Sequence, residues 1–202
     1  RIVRLLPTGT VDTNFMGGAR ANGGVHTVDI RNDGRLVIGG SFTSYEGTAR
    51  NRVALLDADG TLNAGFDPGA GANSSVEELL VQPDNRVVIG GFFNSYDGTN
   101  NVNSIARLLS NGRLDTNFHN AMGAGPNDGP NGSVRALALQ ANGRILLAGA
   151  FTSIGMSNAT VNVGGVARLL ANGSVDTGFD TGTGADNPGS LFLTPVDEVV
   201  VQ

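Results

Sequence analysis

Apolar residues in this chain come in short bursts rich in Val, Ile and Leu, cut at intervals by Gly, Asn, Asp and Pro. No stretch keeps a helical period of 3.6 over ten residues, so the pattern predicts strands and turns. In one stretch the strands are expected at Val25–Ile30, Arg35–Phe42, Arg52–Leu56 and Thr61–Phe66. Asn32-Asp33-Gly34 and Ala58-Asp59-Gly60 close the first and last hairpins. Asn-Gly and Asp-Gly pairs supply the positive φ that tight turns need.

The same order of bursts returns along the chain. Val25–Phe42 matches Val76–Phe93 and Val134–Phe151 without a gap. Arg1–Phe15 returns as Arg52–Phe66, Ser104–Phe118 and Gly165–Phe179. Seven of the nine Phe fall at two repeat positions, and Phe15, Phe66, Phe118 and Phe179 stand 51, 52 and 61 residues apart. A twisted sheet of four short strands cannot cover both of its own faces, whereas stacking each unit on its neighbours buries them. The expected fold is therefore all-β: a β-propeller-type repeat of four-stranded antiparallel blades, about four blade equivalents in all. Residues 1–202 read as a single repeat domain, with a half blade at 1–20, blades at 21–70, 71–122 and 123–183, and the start of another at 184–202.

The motif Arg-Leu-Leu-x-x-Gly-x-x-Asp-Thr-x-Phe, then Val-x-x-Leu-x-x-Gln-x-x-Gly-Arg, then Gly-Gly-x-Phe resembles the bacterial delta-60 repeat. It is clearest at Arg107–Phe118, Arg168–Phe179 and Val134–Arg144. The resemblance implies a β-propeller within a large secreted or cell-surface bacterial protein, and it brings no catalytic residues with it. The first full unit departs from the motif: Leu55 stands where the others have Arg4, Arg107 and Arg168, and Asn63 where they have Asp. The contact made by the repeat Arg is expected to be absent or replaced there.

Leu191–Val201 aligns with Leu79–Ile89, the first half of a unit, and Arg1–Phe15 with the second half. A closed four-bladed ring is one solution. Because Gln202 precedes the Gly-Gly-x-Phe element and the chain starts with Arg1, a piece of a larger propeller is the favoured expectation.

Composition narrows the partners. A net charge of −5 and a pI near 4.8 argue against nucleic acid. No apolar run approaches a membrane span. The absence of Cys removes disulfides, thiolate metal sites and a Cys nucleophile; it fits a secreted protein and a reducing cytoplasm equally, so the expected extracellular or cell-surface location rests on the resemblance.

Candidate chemistry is sparse. His26 and His119 occupy different repeat positions, without triad-like spacing. Asp57-Ala58-Asp59-Gly60 has the look of a calcium loop, but other units carry uncharged residues there, so a turn and no cofactor are expected, with a calcium-stabilised adhesion repeat as the lesser alternative. Asp12, Asp115 and Asp176 are expected to bond nearby backbone and pair with the repeat Arg. Glu77-Glu78 and Asp197-Glu198 read as solvated or edge charges. Gly39-Gly40 and Gly90-Gly91 read as bulges or close blade contacts. The Asn-x-Ser/Thr triplets at Asn73, Asn131, Asn158 and Asn172 carry little weight.

Tyr45, Glu46, Tyr96 and Asp97, at equivalent positions, are the best candidates for a repeated binding site, although Ile154 at the third position favours packing. Two period-breaking segments, Asn120–Gly132 and Gly155–Gly164, are expected to be flexible surface loops, with binding as the lesser reading. The favoured function is a non-enzymatic structural or adhesive module, contacting a protein, a glycan or its own copies through exposed strand edges. The alternative is a glycan hydrolase or lyase with a site at the axial mouth, which would gather Arg20, Arg50, Glu77 and His119 around one pocket.

Overall fold

The structure, a computed structural model, describes residues 2–15, 21–157 and 159–179. Arg20, Asn158, Asp197-Glu198 and the strands expected from Leu191 onward lie outside them. The first full blade holds β1 (Val25–Ile30), β2 (Leu36–Gly40), β3 (Ser44–Tyr45), β4 (Thr48–Ala49) and β5 (Val53–Leu56). The second holds β6 (Val76–Val81), β7 (Val87–Gly91), β8 (Ser95–Tyr96), β9 (Thr99–Asn100) and β10 (Ile105–Leu108), followed by a helix α1 (Thr116–Met122). The third holds β11 (Gly129–Pro130), β12 (Val134–Leu139), β13 (Ile145–Gly149), β14 (Ser153–Met156), β15 (Ala159–Asn162) and β16 (Val166–Leu169).

Each blade is an antiparallel meander, β1-β2-β5, β6-β7-β10 and β12-β13-β16. The innermost strands stand side by side, β6 between β1 and β12. The fourth strand is shorter than the pattern predicts. It is reduced to single bridges, Leu5↔Val11, Leu56↔Leu62, Leu108↔Leu114 and Leu169↔Val175. The cause is local: Asp12, Asn63 and Asp176 accept hydrogen bonds from the backbone N–H two residues on, and Asp115 from that of Phe118 three on. The chain turns out of the ladder at once. Asp115 also caps α1, seven residues the hydrophobic pattern does not announce.

Between the second and third strands sits a two-residue hairpin, β3-β4 or β8-β9. Its turn is Glu46-Gly47 (φ 50° and 76°) or Asp97-Gly98 (φ 47° and 76°). Positive φ at both positions is the hairpin geometry that follows the strand twist. In the third blade the corresponding hairpin lengthens to β14-β15.

Packing lies between blades. Val37, Val53, Leu55 and Phe66 of the first blade share a core with Val76, Leu79, Ile89, Phe93 and Tyr96 of the second. Leu80, Val88, Ile105 and Phe118 of the second share one with Val134, Leu147, Phe151 and Ile154 of the third. Phe42, Phe66, Phe93, Phe118 and Phe151 are all at most 1% exposed, so the repeat Phe fill the layers as the sequence predicts. A Cβ at Gly39 or Gly90 would come within 2.8 Å of Val76 or 2.7 Å of Val134 in the next blade. That close approach explains the first glycine of each pair.

Candidate functional site

Most recurring polar residues hold the blades together. Arg4 Nε donates to Asp12 at 2.9 Å, Arg107 to Asp115 at 2.9 Å and Arg168 to Asp176 at 2.8 Å. Each guanidinium also lies over the terminal Phe of its own unit, at 4.9, 4.5 and 4.4 Å from the ring centroid. Arg4 and Arg107 reach onward to the last turn of the next blade, donating to the carbonyls of Ala58 and Ala171 at 2.6 Å. The backbone N–H of Asn14, then the Arg4 guanidinium, hold the Asp12 carboxyl below its ordinary value. Burial pushes Asp176 up, but the hydrogen bond and charge of Arg168 outweigh it, and the net shift is downward.

In the first blade the contact is replaced. Arg31, at the position of Gln82 and Gln140, donates to the Ser110 carbonyl at 3.0 Å, the place Arg4 and Arg107 reach in their neighbours. Asn63 donates to Asp57, which also takes Arg35 at 2.9 Å. The Asp57-Ala58-Asp59-Gly60 segment is thus a turn with an ion pair, and Asp59 accepts from Thr61. Among the described residues no group of three or more His, Asp or Glu is placed to hold a metal ion.

The tyrosines proposed for a repeated surface site are core residues. Tyr45 and Tyr96 are 2% and 0% exposed and donate to the carbonyls of Gly60 and Gly112. Burial raises the Tyr96 phenol well above its ordinary value. Glu46 accepts from Leu62 N–H and Asp97 from Ala70 N–H, beside the turns they form. A surface ligand would therefore meet two turn carboxylates and neither ring. Asn73 and Asn131, with Asn22, form a repeated clip, each side-chain oxygen accepting two backbone N–H groups at the start of the middle hairpin.

Unit-specific residues gather at one end. The ladder between first and second strands slips at one position in every blade, and the bulged residues are His26, Glu77 and Arg135. Bulges re-aim side chains. Here they bring His26 Nδ1 to 3.2 Å from Glu77, whose other oxygen takes Ser75 Oγ at 2.6 Å. Glu78 instead enters the blade interface, accepting from Thr27 at 2.7 Å. The expectation that Glu77-Glu78 are solvated edge charges is corrected: both are part-buried and partnered across a blade boundary. Arg135 lies 6.0 Å from the ring centroid of Phe92. Arg50 and His119 join no such cluster with Glu77. His119, in α1, is lowered by partial burial, with Asp128 opposing.

At the same end a cleft of about 430 Å³ opens between the second and third blades, lined by Phe92, Asn94, Ser104, Asn127 and Ser133 among others. Phe92 is 51% exposed. The two period-breaking segments meet beside it: Gly129-Pro130 of the first pairs with Gly155 and Ile154 at the start of the second. They frame a second cleft of about 380 Å³, lined by Gly125–Asp128 on one side and Met156, Ser157, Ala159 and Thr160 on the other. Sequence reasoning missed Phe92, although the signal was present: it is one of two Phe off the repeat positions, where other units have Ser41 and Ala150.

Antiparallel blades whose inner strands stand side by side, each sharing its core with the next, define a β-propeller architecture. The chain belongs to the family described as Domain of unknown function (DUF5122) beta-propeller, whose model matches residues 31–66, 82–118 and 140–179. No curated protein matches it.

Proposed function

We propose that this chain is a non-enzymatic binding module of the delta-60 repeat type, with an adhesive or structural role in a bacterial secreted or cell-surface protein. One observation carries the reading. The recurring Arg, Asp, Asn and Tyr are committed to holding blades together, while residues that depart from the repeat surround two open, largely uncharged clefts at one end. A rigid scaffold with variable residues at one end suits recognition. The experiment is direct: the purified chain is passed over immobilised bacterial cell-surface polysaccharide and, separately, over its own copies. Saturable binding to either supports the module. Absence of both overturns it.

A second reading, an enzyme acting on glycans at the axial end, is favoured by the His26–Glu77–Ser75 cluster alone. It requires turnover of a polysaccharide that the Glu77→Gln variant loses by at least about a hundredfold, the usual scale of a positioned acid or base.

A further inference from the structure

We propose that the cleft between the second and third blades is a binding site for a single neutral sugar ring, created by two differences from the first blade. This deepens the binding-module reading and rests on it.

The first blade provides the internal control. There Arg52 sits at a positive φ of 71° and its N–H donates to the Phe42 carbonyl at 2.9 Å. Its side chain folds over the preceding turn, with Nη1 donating to the Ser41 carbonyl and, at 3.3 Å, to that of Phe42. The second blade has the same backbone: Ser104, at φ 61°, donates its N–H to the Phe93 carbonyl at 2.8 Å. A hydroxymethyl group has replaced the arginine side chain. The carbonyl side of Phe92 and Phe93, which Arg52 would cover, is left open, and Phe92, Phe93 and Ser104 all line the cleft. At the position of Ser41 the second blade carries Phe92, an exposed ring on the wall of the space so vacated.

The chemistry of the walls selects the ligand. A phenyl face offers the apolar surface that the C–H side of a pyranose covers, and large aromatic rings contribute much of the burial in such contacts. Asn127, Ser104 and Ser133 carry amide and hydroxyl groups that both donate and accept, and Asn94, whose Oδ1 takes Asn73 Nδ2 at 2.6 Å, adds amide N–H donors, matching sugar hydroxyls. Among the described residues no Asp, Glu, His, Lys or Arg lines the cleft, so they provide no counter-ion for a charged ligand. Arg135, near the Phe92 ring, disfavours the other occupant the vacated place suggests, an arginine side chain of a partner protein. The volume, about 430 Å³, lies in the range of small-ligand pockets.

The repeat also supplies variants compatible with the fold, because each installs the residue the first blade already uses. Ser104→Arg should refill the cleft as Arg52 does, and Phe92→Ser should remove the ring. The test is an NMR titration of the full chain with lactose, maltose and cellobiose, with N-acetylarginine amide as the competing probe. The expected result is that one disaccharide shifts the Phe92 ring and the Asn94 and Asn127 side-chain amides. Both variants should weaken it by about tenfold or more with unchanged melting temperatures. The inference is overturned if none of the sugars shifts Phe92, if Ser104→Arg leaves the shifts intact, or if the arginine amide binds there instead. Polysaccharide capture that survives Ser104→Arg would sink this cleft while sparing the broader module. A cleft that takes lactose in a chain that captures no polysaccharide and does not self-associate would do the reverse.

Discussion

Leu55 and Arg31 are two halves of one exchange. An arginine at position 55 would carry the strut to Ser110; instead Leu55 is 3% exposed in the core and Arg31 reaches the same carbonyl from the end of the first strand. Asn63 in place of Asp and Asp57 in place of Leu complete the rewiring, since Arg35 and Asn63 now share Asp57. A charge-assisted hydrogen bond contributes about 1.5–3 kcal/mol. Arg31→Gln, the residue of the other blades, should therefore destabilise the protein by about 1–3 kcal/mol in urea unfolding. Adding Leu55→Arg with Asn63→Asp should restore much of the loss by rebuilding the repeat contact. If the three changes together are no more stable than Arg31→Gln alone, the exchange is not an exchange.

At the scale of the strand, two glycines do different work. Gly90 lies where the next blade's Val134 presses against β7, whereas Gly91 crosses the bulge, where a Cβ would stand 2.1 Å from the Ser75 carbonyl. The third blade has Ala148 at the Gly90 position. Gly90→Ala should cost about 1–3 kcal/mol through overpacking against Val134, and Ala148→Gly no more than about 1 kcal/mol. Thermal unfolding of the two variants decides this, and equal losses would refute the packing argument. The shortened fourth strand belongs to the same scale. Thr61–Phe66 has strand composition, but Asn63 bonds the N–H of Gly65 and takes the chain out of the sheet. Side-chain capture of a nearby backbone group outcompetes the ladder there.

Over the whole molecule, stability depends on what lies beside each blade. Val28 and Leu79 are equivalent, yet Val28 is 50% exposed and Leu79 4%, because Leu79 packs against the preceding blade and Val28 has no described inner strand before it. Leu79→Ala should cost about 2–5 kcal/mol, and Val28→Ala within about 0.5 kcal/mol, as for a surface site. Comparable losses at both would mean that something covers Val28 in solution. The Arg–Asp clamps also couple stability to pH. Asp12 and Asp176 are both depressed in the fold, so the unfolded chain binds more protons in the acid range. Their contribution is fully present above the ordinary carboxylate value near pH 4 and is lost as pH falls below it. The unfolding midpoint should drop in that window, and the Arg168→Gln variant should show a shallower drop. A wild-type midpoint flat from about pH 5 to 2 would contradict this.

The sequence by itself determined the three main strands of each blade, the turns of the first and last hairpins, the blade-like unit and the use of repeat Phe as interblade filling. These follow from local rules: β-branched bursts, Asn-Gly and Asp-Gly turns, and a sheet that must bury both faces. The Asp–Arg pairing was legible too, because both partners recur at a fixed spacing. The site was only half legible. Tyr45 and Tyr96 stand as the best binding candidates in the sequence although Ile154 favours packing, and their burial depends on the last turn of the same blade folding back to accept their hydroxyls. His26 and Glu77 lie far apart in the chain, and only the stacking of bulged inner strands brings them to 3.2 Å. The Phe92 cleft depends on a side chain that is missing, Ser104 where the first blade has Arg52. A local pattern records the substitution, but only tertiary packing decides whether the vacated volume is filled or left open.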